Sequence, residues 1–297
     1  MKRWLTSWIL SSVPRLNRGI AGGFAGMMAL LIASLGARAL PMPTWQQITA
    51  SGNYSFSGRT ETAAQVIIFQ DGFETGDCSR WTSIPWGCDG SNLVAVNTTR
   101  PHTGTYSIDI HYTHTGPGDL NRYPSKTTAA SYNHFFVRAY HRFEEASPPA
   151  TAAGKKLYWF ADSNDSNTGY QILLSGNSHV SGSPINLNVG VQTPDCNGGG
   201  SASWASGTLA TVNRDTWYSI EAEIQLNTPG VANGIYRVWL DGVPIYNQTD
   251  RNLRYDCTAD VDYFRICGIQ SNLLDASILD EHRFCDDAVV ATGYIGP

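Results

Sequence analysis

From Val66 onward, hydrophobic and polar positions alternate with period two, and turn-forming residues separate the runs. Such alternation marks strands with one dry and one wet face. VIIFQ (66–70) is the first run. In YSIDIHY (106–112), Ile108, Ile110 and Tyr112 alternate with Ser107, Asp109 and His111. In HFFVRAYHRF (134–143), Val137, Ala139 and Phe143 oppose Arg138, Tyr140 and Arg142. KLYWFA (156–161) and YQILL (170–174) follow. INLNVGVQ (185–192) sets Ile185, Leu187, Val189 and Val191 against Asn186, Asn188 and Gln192. WYSIEAEIQL (217–226) turns Ile220, Ala222, Ile224 and Leu226 inward and Ser219, Glu221, Glu223 and Gln225 outward. IYRVWLDGVPIYN (235–247) reads as a hairpin around Asp241-Gly242, a dipeptide suited to a positive-φ turn. YFRICGIQ (263–270) and HRFCDDAVVAT (282–292) close the chain. The pattern predicts about ten antiparallel strands and no long helix, hence a sandwich or barrel.

The first residues follow a different pattern. Residues 19–37 carry no charge, the basic stretch 1–18 precedes them, and Ala37-Arg38-Ala39 offers a small-x-small site. This order predicts a secretory signal cleaved after Ala39. A retained anchor is the alternative, since ~20 apolar residues can span a bilayer. Residues 40–65 read as a polar lead-in and 66–297 as the folded domain. The expectation is a secreted or periplasmic protein, off the membrane after cleavage.

All six cysteines (78, 88, 196, 257, 267, 285) follow the signal. An even count in an exported chain suggests disulfides. Cys78–Cys88, which closes a short loop, is the first pairing expected. No C-x-x-C pair supports zinc. N-x-S/T occurs at Asn53, Asn97, Asn164 and Asn247, as chance matches or surface-loop markers.

Composition narrows the partners. Only 15% of residues are charged, against nine Trp, fourteen Tyr and ten Phe. Disorder and coiled coil are excluded on that basis. The net charge of −5 averages two unlike parts. Residues 1–39 hold five basic and no acidic residues, which leaves fifteen basic against twenty-five acidic in the rest, a net of −10. A nucleic-acid partner is not expected, because phosphate binding needs a basic surface.

FQDGFETGDCSRW (69–81), VRAYHRF (137–143), WYSIEAEIQLNTPGVANGIYRVWLDGVPIY (217–246), FRICGIQSN (264–272) and FCDDAVVATGYIGP (284–297) carry a resemblance. The chain resembles exported members of the concanavalin A-like lectin/glucanase superfamily, and more narrowly bacterial jelly-roll proteins grouped with polysaccharide lyases. The resemblance implies an all-β, two-sheet antiparallel jelly-roll β-sandwich with a polysaccharide partner. Glycan would lie in the groove of the concave sheet.

The residues suggest how such a groove would work. Arg138, Tyr140 and Arg142, then Asn186, Asn188 and Gln192, with Lys156 and Tyr158, are the groove candidates. A lyase must neutralise a uronate carboxylate, remove the C5 proton and protonate the leaving oxygen. Arg138 or Arg142 with Asn188 or Gln192 would hold the carboxylate. Tyr140 or Tyr158 would shuttle protons. His141 should point to the opposite face, as a core histidine. The alternatives are a non-catalytic lectin-like or adhesion domain, and a glycoside hydrolase using Glu221 and Glu223. No organic cofactor is expected. The resemblance also implies a structural calcium ion between Asp71 and Asp287.

Overall fold

The structure is a computed structural model. It describes residues 55–56, 59–60, 65–84, 88, 93–115, 118–120, 122–146, 154–163, 171–177, 184–193, 202–273 and 278–297. The expected signal, most of the lead-in, Asn53, Asn164 and Cys196 lie outside these residues. The described part is all-β, without helix, and forms two large antiparallel sheets and one small pair, β1 (Ser55–Phe56) with β2 (Arg59–Thr60).

The eight-stranded sheet runs in the order β16 (Val243–Arg251), β15 (Gly234–Leu240), β14 (Tyr218–Gln225), β8 (His134–Ala146), β19 (Ile278–Ala291), β5 (Ser107–Thr115) and β4 (Val94–Asn97). Its last member, β3 (Ile67–Asp71), pairs with the far end of β19. The nine-stranded sheet runs β12 (Ala202–Ala205), β11 (Ile185–Thr193), β10 (Gln171–Asn177), β9 (Gly154–Ala161), β17 (Val261–Arg265) and β7 (Ser125–Tyr132). β13 (Ala210–Val212) pairs with β11, β18 (Ile269–Leu273) with β9, and β6 (Gly118–Leu120) with β18. β4, β6, β7, β12 and β13 are short or Ser/Thr/Ala-rich and carry too few apolar positions for the alternation to reveal them.

The inward sets are those the alternation predicts. Val137, Ala139 and Phe143 from β8, Ile220, Ala222 and Ile224 from β14, and Ile185, Leu187, Val189 and Val191 from β11 are buried. Phe135 from one sheet meets Phe160 and Phe264 from the other edge-on, both at 5.2 Å. Each such ring contributes ~1.5–3 kcal/mol through burial. Asp241 and Gly242 turn the β15–β16 hairpin with φ of 49° and 75°. Two disulfides, Cys78–Cys88 and Cys267–Cys285, are formed, and Cys257 is disulfide-bonded as well. The pairing Cys78–Cys88 is the one expected.

Candidate functional site

β8 presents Arg138, Tyr140 and Arg142 on the outer face of the eight-stranded sheet, as alternation requires. Each is committed to the fold there. Arg138 donates to Gly296 O at 3.0 Å and Asp287 O at 3.2 Å. The Tyr140 ring lies under His102, 3.6 Å between centroids. Arg142 pairs with Glu144 at 2.6 Å and donates to Asp215 O. The C-terminal residues cross this face, where Ile295 N and Gly296 N donate to the two Glu221 oxygens at 2.8 and 2.9 Å.

The hydrolase pair lies on the same face, with Glu221 under the C-terminal residues. Glu221 and Glu223 are each 2% exposed. Burial pushes the Glu221 carboxyl up to about 7, against the pull of the two tail amides. Glu223 is held by His134 at 2.9 Å and Arg237 at 2.7 Å. The two carboxylates therefore anchor backbone and side chains rather than flank an open cleft.

Tyr158 departs from its expected place. It is fully buried between the sheets, where its hydroxyl donates to Ile220 O at 2.6 Å and accepts from Ala139 N at 2.9 Å. His141 Nε2 lies 3.0 Å from the same oxygen. Because the hydroxyl proton is spent on Ile220, Nε2 carries the hydrogen and donates. Burial lowers His141 to about 3, so it stays neutral, and raises Tyr158 far above the ordinary phenol range. Tyr158 joins the two sheets and is no groove residue. His141 is the core histidine expected.

Lys156, Asn186, Asn188 and Gln192 lie on the outer face of the nine-stranded sheet. The core separates them from Arg138, Tyr140 and Arg142. The expected residues thus form two groups on opposite sides of the sandwich and not one groove. The reason is topological: alternation gives each strand a wet face but not the sheet to which the strand belongs.

A tighter cluster sits beside Lys156. β17 pairs with β9 so that Arg265 lies opposite Trp159. The guanidinium carbon is 3.9 Å from the Trp159 ring centroid, 4.2 Å from Tyr123 and 5.0 Å from Tyr263. Arg265 Nε donates to Tyr263 Oη at 3.0 Å. Lys156 Nζ stands 4.7 Å from the same indole centroid. Among the described residues, no carboxylate forms an ion pair with Arg265, while Trp159 Nε1 and Asn188 Oδ1 have no hydrogen-bond partner. Burial pushes the Tyr123 phenol up to about 12; Arg265 opposes this and a side-chain hydrogen bond to Tyr263 adds to it. Tyr123 is therefore protonated at neutral pH.

Sequence reasoning passed over Tyr123, Trp159, Tyr263 and Arg265 as functional residues. The i, i+2 spacing of Tyr263 and Arg265 in YFRICGIQ was a usable signal. Tyr123 lies just before β7 and carries no periodic signal at all.

Asp71 and Asp287, the expected calcium ligands, are both engaged in hydrogen bonds. Asp71 Oδ1 accepts from Phe73 N at 2.9 Å and Oδ2 from Trp81 Nε1 at 2.8 Å. Asp287 takes His102 Nδ1 at 2.9 Å and the Thr103 hydroxyl at 3.0 Å. β3 and β19 do bring the two segments together, with Asp71 opposite Ala288.

No protein-family model matches the chain, and no curated protein matches it. Solved structures do. An endo-β-1,4-glucuronan lyase from the fungus Trichoderma reesei superposes with a TM-score of 0.57 at 14% identity, covering 77% of this chain and 96% of that one. A marine PL-14 alginate lyase from Aplysia kurodai gives 0.54 at 12% identity, covering 78% and 100%. The alginate lyase vAL-1 from Chlorella virus gives 0.51 at 11% identity, covering 76% and 99%. At such identities the likeness is one of fold: the chain has a two-sheet jelly-roll sandwich, the fold of these polysaccharide lyases.

Proposed function

We propose that the chain is an exported enzyme that cleaves a uronic-acid polysaccharide by β-elimination on the outer face of its nine-stranded sheet. One observation carries this reading: a guanidinium packed among three aromatic rings without a carboxylate partner among the described residues. The fold supports it, since its structural neighbours are named as glucuronan and alginate lyases. The disulfides fit an oxidising destination.

Arg265 would accept the uronate carboxylate through its distal nitrogens. Two parallel hydrogen bonds to a carboxylate suit the guanidinium fork. Neutralising the carboxylate acidifies the neighbouring C5 proton. Tyr263, whose oxygen is oriented by the Arg265 Nε–H, acts as the base that takes that proton. The C5 electron pair forms the C4–C5 double bond and the C4–O bond breaks. Tyr123, held protonated by burial, donates its proton to the leaving oxygen. Their mutual hydrogen bond then returns the proton from Tyr263 to Tyr123 and resets the pair. Trp159 offers an apolar face to a sugar ring. Lys156, Asn186, Asn188 and Gln192 flank this surface as substrate-binding residues.

The test is a panel of glucuronan, alginate and a neutral glucan, followed by ultraviolet absorbance of the unsaturated product. Growth of absorbance on a uronan, abolished by Arg265→Ala, supports the reading. Binding without product would instead assign a lectin-like role.

A further inference from the structure

The strand that carries Arg265 is broken immediately after it. β17 pairs with β9 as far as Arg265 opposite Trp159, and β18 resumes the pairing with Ile269 opposite Lys156. Ile266, Cys267 and Gly268 thus face only Leu157 and Tyr158. One extra residue is accommodated, which is a β-bulge. The backbone shows it, with φ of 74° at Cys267 and 116° at Gly268, values that L side chains rarely adopt.

Cys267 at this bulge is bonded to Cys285 on β19 of the opposite sheet. Their Cα atoms are 5.5 Å apart. Facing sheets ordinarily stand ~10 Å apart. The two sheets therefore approach each other at Cys267 and Cys285, two residues beyond Arg265. Both cysteines are buried, at 2% and 1% exposure, so the bond is closed to solvent in the folded chain.

We propose that the Cys267–Cys285 disulfide and Gly268 are positioning residues for the elimination reaction. They hold the bulge that follows Arg265 and set the direction of its guanidinium, so the carboxylate-binding geometry belongs to the oxidised chain. This rests on the lyase reading of the Arg265 surface. Bulges re-aim side chains next to reacting groups, and a misplacement of about 1 Å can cost ~100-fold in rate.

The test compares the mature wild-type chain with the Cys267→Ala/Cys285→Ala double variant and with Gly268→Ala, which keeps the disulfide. All are assayed well below their melting temperatures. Hydrogen exchange read by mass spectrometry follows residues 261–273, with 218–225 as the reference. The kcat and KM values are measured on whichever of glucuronan or alginate the wild type cleaves. Expected are faster exchange confined to 261–273 and a kcat loss of ~10- to 100-fold that exceeds the change in KM. Gly268→Ala should show the same pattern. Wild-type kcat in the disulfide-free variant overturns the proposal, with or without altered exchange. If the wild type cleaves neither polymer, the lyase reading fails. Unchanged protection over 261–273 then overturns the positioning by the disulfide on its own.

Discussion

The Arg265 guanidinium lies 3.9 Å from the centre of the Trp159 ring, on adjacent strands and directly opposite in register. Lys156 approaches the same ring at 4.7 Å. Two cations against one indole make a surface that attracts anions while exposing apolar area. An acidic sugar chain asks for that combination.

Removing the guanidinium should abolish turnover without unfolding the domain. Arg265→Ala is expected to lower kcat/KM by ~100-fold or more, the scale seen when one charge-stabilising donor is lost. Arg265→Lys should recover only part, because an ammonium cannot form the paired hydrogen bonds. Initial rates on a uronan, with thermal melting as a control for folding, check both.

Tyr158→Phe should damage stability instead. The hydroxyl serves Ile220 O, Ala139 N and His141 inside the core. Its loss leaves buried polar groups unpaired, at ~1–3 kcal/mol. A Tm lowered by several degrees with kcat unchanged is the expected outcome. A selective loss of kcat at unchanged Tm would return Tyr158 to the reaction.

Chelation should leave the fold untouched. Asp71 and Asp287 spend their oxygens on N–H and O–H donors. Excess chelator is expected to give the same melting curve as buffer alone. A clear drop in Tm, reversed by calcium, would contradict the hydrogen-bonded arrangement.

Stability should fall as pH rises through neutrality. Burial pushes Glu221 and Asp286 up to about 7 in the folded chain. The unfolded chain releases these protons near pH 4. Between those limits the folded state holds more protons, so stability is greatest at the acidic end and falls as pH rises through that window, the loss being complete above about 7. Glu221→Gln should flatten part of that slope in denaturant titrations at pH 5 and pH 8. An unchanged slope would mean that Glu221 ionises in the folded chain as it does in the unfolded one.

The sequence by itself determined which residues of each long strand are dry. Val137, Ala139 and Phe143, and the four apolar residues of β11, are inward as alternation predicts, because side chains on a strand have no other period available. It also determined the Asp241-Gly242 turn and the inward direction of His141. Bulges shift such a count, and at Lys156 and Tyr158 one does: β9 slips by a residue against β10 between these positions. Only the tertiary structure decided which wet face belongs with which. Arg138 and Asn188 have equally polar alternation, yet they lie on opposite sides of the core. Sheet membership depends on pairings between segments far apart in the chain, and no local pattern encodes them. The Arg265 cluster shows the same limit, since Tyr123, Trp159 and Tyr263 come from three separate segments and meet only when β17 is laid between β7 and β9.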